Sequence, residues 1–430
     1  MLNRFFRLKE NGTSVRTEIL AGVTTFMTMA YILAVNPEIL SNTGMDRNAL
    51  FTATALSAFI ATLVMAFVGR LPFALAPGMG LNAFFAFSVV LGMGYSWHFA
   101  LTAVFIEGII FLILTMLNIR ELIVKAIPLS LKHAMSVGIG LFIAFIGMQN
   151  AGIIVKNDAV LVGLGNMNSP AVLIAVSGVI LTAVLLSLRV KGALLIGIFV
   201  ATLAGIPFGV THMPSGKLVA LPPSLEPILW KFDFSNIWSM DMLIILFTFL
   251  FVDFFDTVGT LIGVSSKAGM LDKEGNIPRV KQALFADSIG TIVGSVLGTS
   301  TVTTYVESAS GVAEGGRTGL TPVATAVMFG IALFFAPVFT MVPEAATAPA
   351  LILVGFFMMS PILNIDFDDY TESLPAFITI IIMPLTFSIA DGIVFGMLSY
   401  VLLKVFTGKF RDISTVMVVL FLLFVLKFFF

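Results

Sequence analysis

Apolar residues run through this chain in blocks of about 20, the length that an α-helix needs to cross a bilayer. The blocks predict fourteen membrane spans and a further apolar tail at 413–430, which either spans the bilayer or lies against it. Numbered from the N-terminus, the spans are predicted near 18–39, 49–69, 73–94, 97–118, 132–151, 170–187, 192–208, 242–266, 280–298, 303–316, 321–341, 348–362, 373–389 and 391–407.

Two of these spans are interrupted. Span 3 (73–94) and span 10 (303–316) contain Pro, Gly and polar residues within otherwise apolar sequence. Irregular backbone at membrane depth is tolerated where protein or a water-filled cavity surrounds it. The pattern therefore predicts two broken spans with short extended stretches.

Composition agrees with an all-α polytopic membrane protein. Hydrophobic residues make up 58% of the 430 residues and charged residues 11%, whereas soluble proteins carry roughly 25% charged residues. The chain has no cysteine, which excludes a disulfide framework and a thiolate nucleophile. A net charge of −1 gives no reason to expect a nucleic-acid partner. Residues 1–16 lack a signal-peptide cleavage pattern, so we expect them to form a cytoplasmic N-terminus.

The distribution of Lys and Arg predicts the orientation. With the N-terminus in the cytoplasm, 18 basic residues fall on the cytoplasmic side and four on the outer side, with one more in the tail. This is the bias of the positive-inside rule. The four basic residues on the outer side are Arg47, Lys156, Lys217 and Lys231. The sequence therefore predicts a multi-pass protein of the cell membrane.

An internal repeat relates the two halves. A shift of about 229 residues places 66–85 on 294–313, and each segment joins a helix end, an extended stretch and a Gly-rich restart. Each half holds seven spans, an odd number, so the second half must be inverted. Inverted repeats with matching breaks are typical of secondary transporters that bind substrate near the midplane. The alternative is a chance match, since Gly and Pro breaks are common in membrane helices.

Span 8 carries two acids within apolar sequence. Asp253, Asp256, Thr257 and Thr260 follow helical spacing, which predicts one inward polar stripe. An intramembrane carboxylate costs several kcal/mol or more and usually marks a substrate or ion path. Two carboxylates one turn apart repel each other, so the pair predicts a site that can hold a proton and couple it to ligand binding. The alternative is that either Asp only ties helices together.

The two breaks supply further candidate ligands. In span 10, Tyr305 and Glu307 stand where a half-helix begins, and free backbone N–H groups there suit a polar ligand. In span 3, Gly80 lets backbone come close, Asn82 supplies a donor and an acceptor, and Phe84 offers an aromatic face. Glu307 could instead cap its half-helix, and Phe84 could be ordinary packing.

The remaining polar residues suggest little chemistry. Glu107 is a further intramembrane acid without a partner at helical spacing, and Asp287 and Glu314 near span ends are predicted to be structural. We expect no metal and no cofactor, because the histidines are scattered. No nucleotide-hydrolysis motif is present, so an ion gradient is the expected energy source. The three histidines are His98, His133 and His212.

Several motifs together resemble one family, the AzgA-like branch of the nucleobase:cation symporter-2 (NAT/NCS2) family of purine permeases. The resemblance extends from about Arg16 to Arg411. The segments that carry it are TEILAGVTTFMTMAYILAVNP (17–37), APGMGLNAFF (76–85), DTVGTL (256–261), TTYVES (303–308) and GGRTGLT (315–321).

The resemblance implies a 7+7 inverted repeat with a core domain and a gate domain, and elevator-like, proton-coupled uptake of purines into a bacterial cell. It also implies that homodimers through the gate domain are plausible. The implied parts are a cytoplasmic segment 1–16, core domain 17–118 and 241–341, gate domain 119–240 and 342–412, and the tail 413–430.

The resemblance also implies residue roles. Asp256 and Glu307 occupy the positions of acids that hydrogen-bond the nucleobase, and Asp253, Gly80 and Asn82 match positions used for purine recognition or transport. The uracil/xanthine branch often carries a His near the span 8 acid, whereas this chain has Thr257 and Thr260 there. Proton coupling is therefore expected to rest on Asp253, Asp256 and Glu307.

Purines suit such a site because they are flat, mostly neutral and rich in ring N–H and carbonyl groups. Hypoxanthine and guanine are the expected substrates, with adenine as a further candidate; the sequence does not rank them or separate proton from sodium coupling. The alternative is an anion transporter or channel of the same fold, which acids at the site disfavour. We do not expect an enzyme, since no activated nucleophile or cofactor motif is evident.

Overall fold

The computed structural model describes residues 5–117, 128–157, 159–213, 217–270, 277 and 279–427. Helices lie at all fourteen predicted spans. The predicted end of span 4 at residue 118 and the last three residues of the tail lie outside the described residues. By length and composition alone, nine helices of the described part are able to cross a membrane. Shorter apolar helices lie in spans 3, 7 and 13, and span 10 is broken.

The first half contains spans 1 to 7. Two short strands, β2 (Ile154–Asn157) and β3 (Leu161–Leu164), form a hairpin between spans 5 and 6. The spans are span 1 (Val15–Met29 and Ile32–Ser41), span 2 (Arg47–Val64 with a π-helical end Met65–Gly69), span 3 (strand β1 Leu75–Pro77, helix Met79–Ala83 and π-helix Phe84–Gly92), span 4 (Trp97–Met116), span 5 (Leu129–Asn150), span 6 (Pro170–Ser187) and span 7 (Ala193–Gly205).

The second half repeats this order, and its tail forms a helix at Thr415–Lys427. The spans are span 8 (Met240–Lys267), span 9 (Val280–Leu297), span 10 (strand β4 Val302–Thr304 and helix Ser308–Ala313), span 11 (Leu320–Ala332, Leu333–Phe335 and Ala336–Thr340), span 12 (Glu344–Met358 and Ser360–Asn364), span 13 (Tyr370–Thr386) and span 14 (Ile389–Phe406).

The two broken spans meet in the middle of the molecule. Strands β1 and β4 pair antiparallel, with Ala76 opposite Thr303 at the centre. Two further backbone bonds of 3.0 Å lengthen the crossing, from Gly78 N to Thr301 O and from Tyr305 N to Ala74 O. Each strand satisfies the backbone of the other, which is the condition for extended chain at membrane depth. The predicted breaks and extended stretches are thus present in both halves.

The helices pack in two groups. Span 5 contacts spans 12, 13 and 14, and spans 13 and 14 contact each other; spans 6 and 7 pack together and against span 12. Spans 1 and 2 pack against span 11, and spans 2 and 4 pack against span 9. These groups follow the predicted division into gate and core helices, although the domain assignment itself stays a prediction.

A buried carboxylate joins the two halves. Glu18 of span 1 accepts hydrogen bonds from the backbone N of Arg317 at 2.9 Å, and from the N and Oγ1 of Thr321 at 3.1 and 2.6 Å. These donors lie at the start of span 11, where the first turn of a helix leaves N–H groups without helical partners. Glu18 therefore caps span 11 from the opposite half of the chain.

Candidate functional site

A cavity of about 590 Å³ lies between the two groups of helices. Spans 3, 8 and 10 form what we call the acidic wall, made of Gly80, Phe251, Val252, Asp256, Thr260, Val306 and Glu307. Spans 5 and 12 form the second wall, made of Leu129, Lys132, His133, Met135, Ser136, Ile139, Val354, Phe357, Met358, Ser360, Pro361 and Asn364.

The two predicted acids on spans 8 and 10 both line this cavity. Within the described part of the chain, no hydrogen bond or ion pair reaches the Asp256 carboxylate, which is partly buried. Glu307 lies directly before helix Ser308–Ala313, and its Oε1 accepts a hydrogen bond from Tyr31 Oη at 2.7 Å. Tyr31 belongs to the break in span 1 and is buried. One acid is thus available to a ligand, and the other is oriented by a tyrosine.

Gly80 lies where span 3 packs closely against span 5 beside the cavity. A Cβ atom on Gly80 would lie 2.8 Å from Cγ2 of Ile139. Real Cβ atoms essentially never come so near to another heavy atom. The absence of a side chain at Gly80 therefore sets the distance between the acidic wall and the second wall.

Three other predicted ligands lie behind the acidic wall. Asn82 is fully buried, where its Oδ1 accepts a hydrogen bond from the Ser300 hydroxyl. Tyr305 Oη donates to Pro77 O at 2.5 Å, which ties β1 to the span 10 break. The Phe84 ring packs edge-on against a phenylalanine of span 8, with centroids 4.8 Å apart. Asn82 and Tyr305 support the strand crossing, and a ligand role for the three residues stays a prediction.

Asp253 also lies behind the wall, in a buried polar network. Thr257 Oγ1 lies 3.4 Å from Asp253 Oδ1, 3.0 Å from Asp287 Oδ2 and 2.7 Å from Thr303 Oγ1. The four side chains are fully or almost fully buried. Span 8 therefore presents Asp253 and Thr257 to the strands. It presents Asp256 and Thr260, which lies one turn further along, to the cavity. The sequence predicted a single inward stripe, and the structure divides it between two faces.

Sequence analysis missed the polar groups of the second wall. The start of span 5 places Lys132, His133 and Ser136 at helical spacing, and this spacing could have indicated a polar face. His133 was instead grouped with the other two histidines as scattered. Ser136 Oγ donates to Met358 O at 3.2 Å. In the described ranges, no three His, Asp or Glu side chains come together to hold a metal ion.

The fold of this chain has counterparts among solved structures. It is similar to the transmembrane domain of a cyanobacterium bicarbonate transporter, BicA, with a TM-score of 0.67 at 15% identity over 89% of this chain and 97% of that one. The predicted 7+7 inverted repeat is confirmed. A likeness at this level of identity concerns the fold alone.

Sequence similarity then gives the family. Residues 16–395 match the model of the permease family, and the chain belongs to this NAT/NCS2 family of nucleobase permeases, as its motifs predicted. It is 52% identical to the putative permease MJ0326 of Methanocaldococcus jannaschii, covering 99% of this chain and 98% of that protein. It is 45% identical to the adenine permease AdeP of Escherichia coli (99% and 96%) and 47% identical to the guanine/hypoxanthine permease PbuG of Bacillus subtilis (100% of both).

Proposed function

We propose that this permease imports purine nucleobases across the cell membrane together with protons. Hypoxanthine and guanine are the proposed substrates, with adenine as a further candidate. The observation that carries the proposal is the acidic wall, where the carboxylates of Asp256 and Glu307 line one cavity. Relatives named for adenine and for guanine/hypoxanthine are similar over nearly the whole chain, which supports a purine substrate.

Carboxylates at this place suit the donor edge of a purine. Ring N–H and amino groups donate hydrogen bonds, and ionised carboxylates only accept them. The Tyr31 hydroxyl occupies one oxygen of Glu307 and orients the group. Asp256 has no hydrogen bond to the described part of the protein, so a ligand N–H group would be its first partner. A neutral purine can therefore bind without a buried charge of its own.

Proton coupling is proposed for the same carboxylates. A proton on Asp256 or Glu307 changes what the group can accept, so proton and purine binding influence each other. Asp253 is the third candidate, and its threonine network connects span 8 to strand β4. Protons can move along such hydroxyl and carboxylate groups, which supports Asp253 as part of the route.

The shape of the cavity suggests which side is open. It reaches from the midplane acids to Leu129, where span 5 begins, and to Asn364, where span 12 ends. Both positions lie at the predicted cytoplasmic face. At the other end, Phe87, Phe142 and Phe387 pack together, with centroids 6.5 and 5.7 Å apart. We infer an inward-facing state with a cytoplasmic N-terminus.

Movement of one helix group against the other would alternate this access. The two groups pack mostly within themselves, and a cavity separates them, which supports an elevator-like motion of the core past the gate. A homodimer through the gate helices would hold the gate still while the core moves.

The experiment is uptake of labelled hypoxanthine, guanine, adenine and uracil by cells that lack their own nucleobase permeases, with and without a protonophore. Glu307→Gln is the test variant. Glu314→Gln is the matched control, since Glu314 belongs to the same span, is exposed and pairs with Lys191 on the surface. Purine uptake that falls with protonophore and with Glu307→Gln, but not with Glu314→Gln, supports the proposal. Correct insertion without purine uptake would refute it and direct attention to anion flux.

A further inference from the structure

Apart from the Thr260 hydroxyl, the polar side chains of the acidic wall offer a purine hydrogen-bond acceptors. Asp256 and Glu307 can accept from ring N–H groups and from an exocyclic amino group. When ionised, they cannot donate a hydrogen bond to an exocyclic carbonyl oxygen. A 6-oxopurine such as hypoxanthine carries this oxygen, whereas adenine carries an amino group there. An oxopurine therefore needs a donor that adenine does not need.

The second wall supplies candidate donors, and most of them are engaged or exposed. The Ser136 hydroxyl already donates to a backbone carbonyl at 3.2 Å. Lys132 takes part in another interaction. Ser360 and Asn364 are exposed at the end of span 12. His133 lines the cavity, is half-buried, and makes no hydrogen bond or ion pair with the residues that the structure describes.

His133 also stands at a suitable place along span 5. Ile139, six residues further on, is the residue that touches Gly80 of the acidic wall. Six residues correspond to about 9 Å along a helix axis. The two walls therefore meet at Ile139, and His133 lines the cavity nearer the start of span 5. A neutral imidazole offers one N–H donor and one acceptor nitrogen.

We propose that His133 is a specificity-determining residue that donates a hydrogen bond to the 6-oxo group of a purine held by Asp256 and Glu307. The inference rests on the proposed function. His133 then favours hypoxanthine and guanine over adenine, because only the oxopurines use its N–H group. Loss of the imidazole leaves a carbonyl without its donor, and sites built for a hydrogen bond discriminate strongly against a missing partner.

The test measures how strongly hypoxanthine and adenine inhibit uptake of a labelled purine that the wild type transports. The inhibition constants of the two purines are compared for each variant. His133→Ala should weaken hypoxanthine at least about tenfold relative to adenine, the equivalent of about 1.4 kcal/mol. His133→Gln keeps an N–H donor and should preserve the ratio within about threefold. Gln149→Ala is the matched control, a change at an exposed position of the same span, away from the cavity, that should leave the ratio unaltered.

The outcomes separate the inference from the function. Equal weakening of both purines by His133→Ala, or no change, overturns the role of His133 and indicates a backbone donor, while purine transport stands. Wild-type protein that binds adenine and not hypoxanthine also overturns it. Wild-type protein that transports no purine refutes the proposed function, and the inference fails with it.

Discussion

The contact between Gly80 and Ile139 allows a sharp test of how closely the two walls must approach. Gly80→Ala adds one methyl group to helix Met79–Ala83. In the helix itself the change should be favourable by about 1 kcal/mol, since Ala is the better helix former. The new Cβ atom, however, would lie 2.8 Å from Ile139 Cγ2, whereas ordinary contacts begin at 3.4 Å. The Ile139 side chain or one of the two helix groups must therefore shift by about 0.6 Å.

The cost falls on the contact between the helix groups. Extra methyl groups in well-packed sites cost about 1–3 kcal/mol, and Ile139 is only 3% exposed. After subtraction of the gain in helix propensity, the state in which the two walls are in contact is destabilised by about 0–2 kcal/mol. If this state belongs to the transport cycle, a barrier higher by about 1.4 kcal/mol slows uptake tenfold. We expect purine uptake to fall about fivefold, the effect of the middle of this range, and at most about 30-fold, with a change of only a few degrees in the melting temperature.

Second-site changes at Ile139 test the cause. Ile139→Ala removes Cγ2 and should restore uptake in the Gly80→Ala background. Ile139→Val keeps a methyl group at that position and should not. Uptake would be measured per molecule at the cell surface for all single and double variants. Normal uptake by Gly80→Ala, or equal rescue by Ile139→Ala and Ile139→Val, would refute the reasoning.

Other contacts give shorter predictions. Tyr31→Phe removes the donor to Glu307 and should raise the KM for purines roughly tenfold with near-normal folding, because a hydrogen bond to a charged group contributes about 1.5–3 kcal/mol; an unchanged KM contradicts this. Glu18→Gln should lower the melting temperature of the purified protein, because an amide replaces a carboxylate that accepts several hydrogen bonds, including those from Thr321. The expected loss of folding free energy is about 1–3 kcal/mol. Asn82→Ala should reduce stability by a similar amount, and a normal melting temperature with lost purine binding would instead make Asn82 a ligand.

The fold was largely predictable because membrane spans follow from length and apolar character alone. Every predicted span coincides with a helix or a broken helix, and the extended stretches were visible as Pro and Gly within apolar sequence. Seven spans in each half then required the inversion. The partner of each strand was not visible, since β1 and β4 are more than 200 residues apart and pair only through the inverted repeat.

The acids of the site were predictable for a different reason. Asp256 and Glu307 stand out because a carboxylate at membrane depth is costly and needs a reason. Tyr31 and His133 carry no such cost, and both belong to residue types that are common in ordinary packing or at span ends. The partner of Tyr31 and the cavity that His133 lines are formed by distant spans, which local spacing cannot identify. The division of span 8 was also hidden, because residues three and four apart are neighbours on one helix face and the sequence does not show where the cavity edge crosses that face.

The contacts around the site join the two halves reciprocally. Tyr31 of the first half orients Glu307 of the second, and Tyr305 of the second half donates to Pro77 of the first. Side chains that share one network do not contribute independently. We therefore expect Tyr31→Phe to weaken purine binding in the wild type but to have little further effect in Glu307→Gln, measured as competition constants in a double-mutant cycle. Additive losses would mean that Tyr31 acts on the ligand directly instead of through Glu307.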